Sequence, residues 1–187
     1  FGGSTMLPEE LDVIPGLAAG LLDAGTAKKN KSVIREALAG RGISLAFSSS
    51  NDRTAFSGRC FPEDLQILLS TIVECLSGAN FLEQEVRSAK ARTLGELAEE
   101  KSDTRSQAER ALAELLYDRG HVNYLRSTKD EEKSVAAIRR PQLQNFRKML
   151  GKGGLVLAIV GDIGAIPARA IVEKTFSKLD AGTSTAP

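Results

Sequence analysis

The sequence predicts an α+β fold: one mainly antiparallel sheet with helices packed on one face. Three observations carry this. Residues 43–60 alternate apolar and polar in two runs joined by turn residues, as an antiparallel hairpin with one buried face does. Leu65, Leu68, Leu69, Ile72, Val73 and Leu76 recur at helical spacing behind Pro62-Glu63-Asp64. The elements follow the order helix-helix, hairpin, three helices, loop, helix, strand, helix, which packs as one sheet under a helical layer.

Along the chain, Phe1–Thr5 is Gly-rich and reads as the tail of a strand or a loop. Leu17–Leu22 is small and apolar, a buried helix running to Gly25, which suits a left-handed cap. Ser32 opens a second helix with Val33, Ile34, Ala37 and Leu38 on one side, stopped by Gly40 and Gly42. Ile43, Leu45 and Phe47 alternate with Ser44 and Ala46, Ser49–Asp52 supplies the turn, and Phe56, Gly58 and Cys60 alternate on the return. After the helix from Pro62, Leu82, Val86, Ala89, Thr93 and Leu97 mark a long helix with charges on its other face. Thr104 to Tyr117 presents Ala108, Ala111, Leu112, Leu115 and Leu116 as a third apolar stripe. His121–Lys133 reads as a polar loop, and Pro141 opens a helix carrying Leu143, Phe146, Met149 and Leu150. Leu155–Val160 is uninterrupted apolar, which predicts a mid-sheet strand buried on both faces. Ala168–Leu179 forms a final helix. Residues 1–180 are expected to make one domain and 181–187 a frayed tail.

Composition excludes several classes. Lys+Arg number 25 against 24 Asp+Glu, so there is no basic footprint for nucleic acid. Leu155–Val160 is the longest apolar run, far short of a membrane span. Two cysteines do not make a disulfide scaffold. The single histidine, His121, excludes a zinc site on two histidines, and with it H-E-x-x-H and its inverse. The chain opens on Phe1 and shows no signal-peptide pattern, so it reads as an excised piece of a longer protein whose compartment it does not reveal.

Local motifs add a resemblance. Phe1-Gly2-Gly3-Ser4, Pro15-Gly16-Leu17-Ala18-Ala19, Leu22-Asp23-Ala24-Gly25-Thr26, Ile43-Ser44-Leu45-Ala46-Phe47-Ser48 and Glu63-Asp64-Leu65 follow in order. His121-Val122-Asn123-Tyr124 and Leu155–Asp162 complete the series. Together they resemble the insulinase-like (M16, mitochondrial processing peptidase-like) zinc metallopeptidases over nearly the whole chain. The closing strand is similar to the family's V-V-V-G-D and the histidine loop to its H-P-Y.

Active members of that family carry H-x-x-E-H shortly before the Gly-Thr pair. Counted back from Gly25-Thr26, those positions fall on Gly16, Ala19 and Gly20, so both histidine ligands and the water-activating glutamate are missing. The third ligand position, 76 residues beyond Gly20, is Glu96. One carboxylate does not hold zinc, which wants about four well-placed ligands. The resemblance therefore implies a lobe with a degenerate zinc motif: no catalytic residue, no cofactor in this chain, and zinc only in a partner lobe. It implies pairing with a second insulinase-type lobe, with extended peptide as substrate in the chamber between them. For the whole protein it implies a zinc metalloendopeptidase of mitochondria or of the bacterial cytoplasm or periplasm. The strand matching the family's substrate-facing edge places Leu45, Ala46 and Phe47 beside that peptide, although a plain core hairpin explains the same residues. Glu96, beside Glu99, Glu100 and Lys101, otherwise reads as a solvated residue on a charged helix, Cys60 and Cys75 as core residues, and Gly161-Asp162 as a turn. The alternative function is a binding or scaffold module of the same fold with no protease partner.

Overall fold

The computed structural model describes Gly3, residues 7–121 and residues 123–183. Among these, a single two-stranded sheet stands among eight α-helices. The order is α1 (Ile14–Ala19), α2 (Lys31–Ala39), β1 (Ser44–Ser49), β2 (Thr54–Arg59), α3 (Leu65–Gly78), α4 (Glu83–Glu100), α5 (Thr104–Leu116), α6 (Thr128–Ala137), α7 (Arg140–Met149) and α8 (Ala165–Phe176). The α+β class and the hairpin with its helical cover are as the sequence indicates.

Several helices start where a short polar side chain meets their free amides. Asn30 accepts from the Val33 N–H at 2.9 Å and opens α2. The Asp103 carboxylate accepts from the amides of Arg105 and Ser106 and opens α5. Ser127 accepts from the Asp130 N–H and opens α6. Pro141 stands in the first turn of α7, where its missing donor costs nothing.

The core forms around α3, whose Leu65, Leu68, Leu69, Ile72, Val73, Cys75 and Leu76 are all buried. Leu22, Val135 and Leu143 reach it from the turn after α1, from α6 and from α7, each with 0% exposure. Burying a side chain of that size is worth about 2 kcal/mol. α1 packs on α7 and beside β1, α3 on α8, and α4 on α6. In the hairpin Ser44 pairs with Arg59 and Ser49 with Thr54, and Phe47 meets Phe56 edge-to-face at 6.4 Å. Gly58 lies so close over Leu68 that an added Cβ would stand 2.9 Å from it.

The fold departs from the sequence reading at five places. α1 begins earlier and ends at Ala19; Gly25 instead takes φ +138° in the bridge it forms with Asn30. The polar stretch 121–133 is only partly a loop, because the Ser127 cap starts α6 at Thr128. On α5 the apolar stripe faces outwards: Leu112 is 55%, Leu115 85% and Leu116 62% exposed, while Arg110 and Ala113 point in. Helical period located the stripe without saying which side the core lies on. Leu155–Val160 is extended but joins no ladder among the described residues, and Val156 and Val160 are 73% and 98% exposed rather than buried in mid-sheet. Residues 181–183, expected to fray, are tied back, since Ala181 accepts from the Gly153 N–H and Thr183 donates to Met149. Residues 184–187 lie outside the described part, as do those of the Phe1–Thr5 stretch other than Gly3.

Candidate functional site

The positions expected to hold a metal lie on the short helix α1 and on α4. Gly16 and Gly20 stand on the solvent flank of α1, and Ala19 points into the core with 1% exposure. A Cβ added at Gly16 would meet nothing within 4 Å, so that flank is open. A Cβ added at Gly20 would come 3.9 Å from Nη2 of Arg92 on α4. The Nε of the same guanidinium lies 3.8 Å from Oε1 of Glu96, one turn further along α4, and both side chains are 66% exposed. The structure thus joins Gly20 and Glu96 through one cation. The guanidinium stands beside Gly20, the position that the resemblance assigns to the second histidine.

These residues do not fit zinc. α1 offers no donor atom, Glu96 is already engaged by Arg92, and no group of three His, Cys, Asp or Glu side chains that could hold a metal occurs among the described residues. His121 lies elsewhere, stacked on Tyr117 with ring centroids 4.5 Å apart, its Nδ1 accepting from the Asn123 N–H at 3.1 Å.

β1 runs beside α1, and no third strand pairs with it among the described residues. Leu45 and Phe47 turn inwards, half-buried, and Ala46 faces out. What this strand presents outward is backbone and the short side chains of Ser44, Ala46 and Ser48. That surface can pair with an extended chain but does little to select its sequence.

Two features escaped the sequence reading. Arg92 was legible only as an i,i+4 partner of Glu96. Arg110, in the middle of an apparently apolar helix, is the centre of a buried ionic network. Its Nη2 lies 2.8 Å from Glu100 and its Nη1 2.8 Å from Glu131, and Nη1 also donates to the Arg126 carbonyl. Arg126 in turn makes a two-pronged pair with Asp12, at 2.6 and 3.0 Å. An arginine on the inner side of a helix was the available signal.

Comparison with known proteins follows this geometry. The family model described as Insulinase (Peptidase family M16) matches residues 17–128. No curated protein matches the chain significantly. A peptidase M16 inactive domain from Pseudomonas fluorescens superposes with a TM-score of 0.85 at 21% identity, over 100% of this chain and 45% of that one. The periplasmic protease PqqL from Escherichia coli gives 0.76 at 18% identity, over 100% of this chain and 21% of that one. A protease from Helicobacter pylori gives 0.76 at 14%, over 99% and 45%. At such identities the likeness is one of fold. The chain spans less than half the length of each of these proteins.

Proposed function

The chain belongs to the insulinase family, peptidase family M16, and from that premise we propose that it is a non-catalytic lobe of a zinc protease. In this reading residues 1–180 form one domain. It walls one side of a chamber that encloses peptide and pairs with an active, zinc-bearing lobe in the same polypeptide or in another subunit. The observation that carries the reading is the α1–α4 junction: glycines where the motif needs histidines, and the Arg92 guanidinium beside them. A water that attacks a peptide carbonyl needs a metal or a base to activate it, and Gly16, Ala19 and Gly20 supply neither. What remains is shape and the edge of β1 at Leu45, Ala46 and Phe47, where an extended peptide has backbone groups to pair with.

Metal analysis and peptidase assays test this on the purified chain, alone and mixed with any H-x-x-E-H-bearing lobe that its genome encodes. The chain alone should carry no stoichiometric zinc and cleave nothing. The mixture should elute as one complex and cleave unstructured peptides. About one zinc per chain, lost on Glu96→Ala, would overturn the proposal. So would turnover by the chain alone that a point substitution in it abolishes, or failure to associate with any such lobe.

A further inference from the structure

A cleft of about 330 Å³ opens between α3, the end of α8 and the turn at residues 26–28. Hydrogen bonds latch its two sides to α3. On one side Gln66 Nε2 donates to the hydroxyl of Thr175 on α8 at 3.2 Å. On the other the Thr26 hydroxyl donates to Glu74 Oε1 at 2.9 Å and accepts from the amides of Lys28 and Lys29. Thr26 and Thr175 are both 4% exposed, so the latches are fixed parts of the fold.

The charge around this cleft does not balance. Lys28, Lys174 and Lys178 line it, and Glu74 is the acid on its lining. Glu74 is already taken, with Lys29 Nζ 2.8 Å from its Oε2. Part burial would raise that carboxyl, but the hydrogen bonds from Lys29 and Thr26 and the nearby charge of Lys28 outweigh it and hold it below its ordinary range. Glu173, on the same turn of α8 as Lys174, is held by Arg169. The ammonium groups of Lys28, Lys174 and Lys178 have no ion pair or hydrogen bond among the described residues. Cations at a helix C-terminus complement its dipole. That accounts for Lys174 and Lys178 at the end of α8 and not for Lys28, which a separate turn brings to the same cleft.

Like charges held round one cleft repel, and an anion between them removes that cost. A carboxylate carries one charge and leaves two lysines unmatched. A phosphate monoester carries about −1.5 to −2 at neutral pH and offers three acceptor oxygens, one for each ammonium. The Ser70 hydroxyl, also on the lining and bonded to no described residue, adds a neutral donor. We propose that the cleft is a binding site for a small molecule bearing a phosphate monoester, held by Lys28, Lys174 and Lys178 with Ser70. Ligand sites run from about 300 to 1,000 Å³, and this one, at the small end, admits the phosphate and a few carbons. It shares no residue with the α1–α4 junction, and the inference holds whether or not this lobe pairs with a zinc-bearing one.

Glycerol 3-phosphate is the probe, titrated into the purified chain at about 0.15 M salt and followed by two-dimensional amide NMR. Amides of residues 26–29, 70–78 and 174–178 should shift and saturate, with a Kd of about 1 mM. Lys28→Gln and Lys174→Gln should each weaken binding about 10-fold. Both lysines are exposed, so the variants should fold, which far-UV circular dichroism checks. Lys148→Gln, at the exposed end of α7, should leave the affinity unchanged. Shifts that do not saturate, or that the Lys28 and Lys174 variants leave as they were, overturn the proposal. Succinate binding as tightly overturns it too, by making the lysines a general anion patch. A phosphoserine peptide that binds more tightly than glycerol 3-phosphate overturns the small-molecule assignment in favour of a protein segment.

Discussion

Replacing Arg110 by methionine keeps the helix and most of the volume but removes the cation that Glu100, Glu131 and the Arg126 carbonyl share. Stranding one partner of a buried pair costs about 3–5 kcal/mol. Here the arginine side chain is 10% exposed, but Glu131 is 20% and Glu100 33% exposed, so water recovers part of the loss and the low end applies. Arg110 Nε is buried with no hydrogen-bond partner among the described residues, and methionine relieves that penalty of about 1 kcal/mol. The expected net loss is about 2 kcal/mol, a fall in Tm of about 4–8 °C for a chain of this size. Urea unfolding and thermal melts followed by far-UV circular dichroism read it. Adding Glu131→Gln to Arg110→Met should return part of the loss by removing a stranded charge. Arg105→Met breaks a pair that is 85% and 61% exposed and should leave stability nearly unchanged. If Arg110→Met is no more damaging than Arg105→Met, the network is not structural and the reasoning fails.

Burial pushes the Cys75 thiol up to about 12, and part burial beside Asp64 and Glu63 raises Cys60 as well. A thiol reagent at about pH 8 should therefore label Cys60 slowly and Cys75 only on unfolding; equal rates in the native protein would contradict this. Hydrogen bonds from Ser106 hold the Asp103 carboxyl below its ordinary range, and those from Ser127 and Lys133 do the same for Asp130. Both folded values are depressed, so the stabilisation is present above the ordinary aspartate value and is lost as pH falls through the lowered one. Amides in the first turns of α5 and α6 should exchange faster relative to mid-helix amides at about pH 3 than at about pH 6; unchanged ratios would refute the capping role. Ala46→Pro removes a donor and fixes φ on β1, so it should abolish peptide binding by the reconstituted pair where Ala46→Ser does not. A folded Ala46→Pro protein that binds normally would reduce β1 to a wall.

Period and punctuation made most of the fold legible. The α3 pattern and the hairpin alternation each encode which side meets the core, because one face of each is apolar and the other is not. Leu112, Leu115 and Leu116 misled, because an apolar stripe records a preference and not the presence of something to pack on. Leu155–Val160 misled similarly: its run of apolar residues describes a strand with neighbours on both sides, and no strand pairs with it among the described residues. At the candidate site, spacing from the Gly-Thr pair singles out Gly16, Ala19, Gly20 and Glu96, and the structure brings Gly20 and Glu96 to one arginine. Arg92 was not findable that way, since its place beside Gly20 depends on how α4 crosses α1.

That arginine also sets how reversible the loss of the motif is. Substituting histidines at 16 and 20 would put two ligands on an open flank of α1, but the incoming cation would meet a guanidinium already holding the remaining carboxylate. The glutamate would have to enter at Ala19, where the side chain has 1% exposure and no room in water. Three changes on one helix thus rebuild a word in the sequence without rebuilding a centre, and the fourth must come on a different helix, at Arg92. Two histidines alone would hold a metal weakly and activate no water, so on the proposed reading the intermediates gain no catalysis and the degenerate motif is held in place by a ratchet.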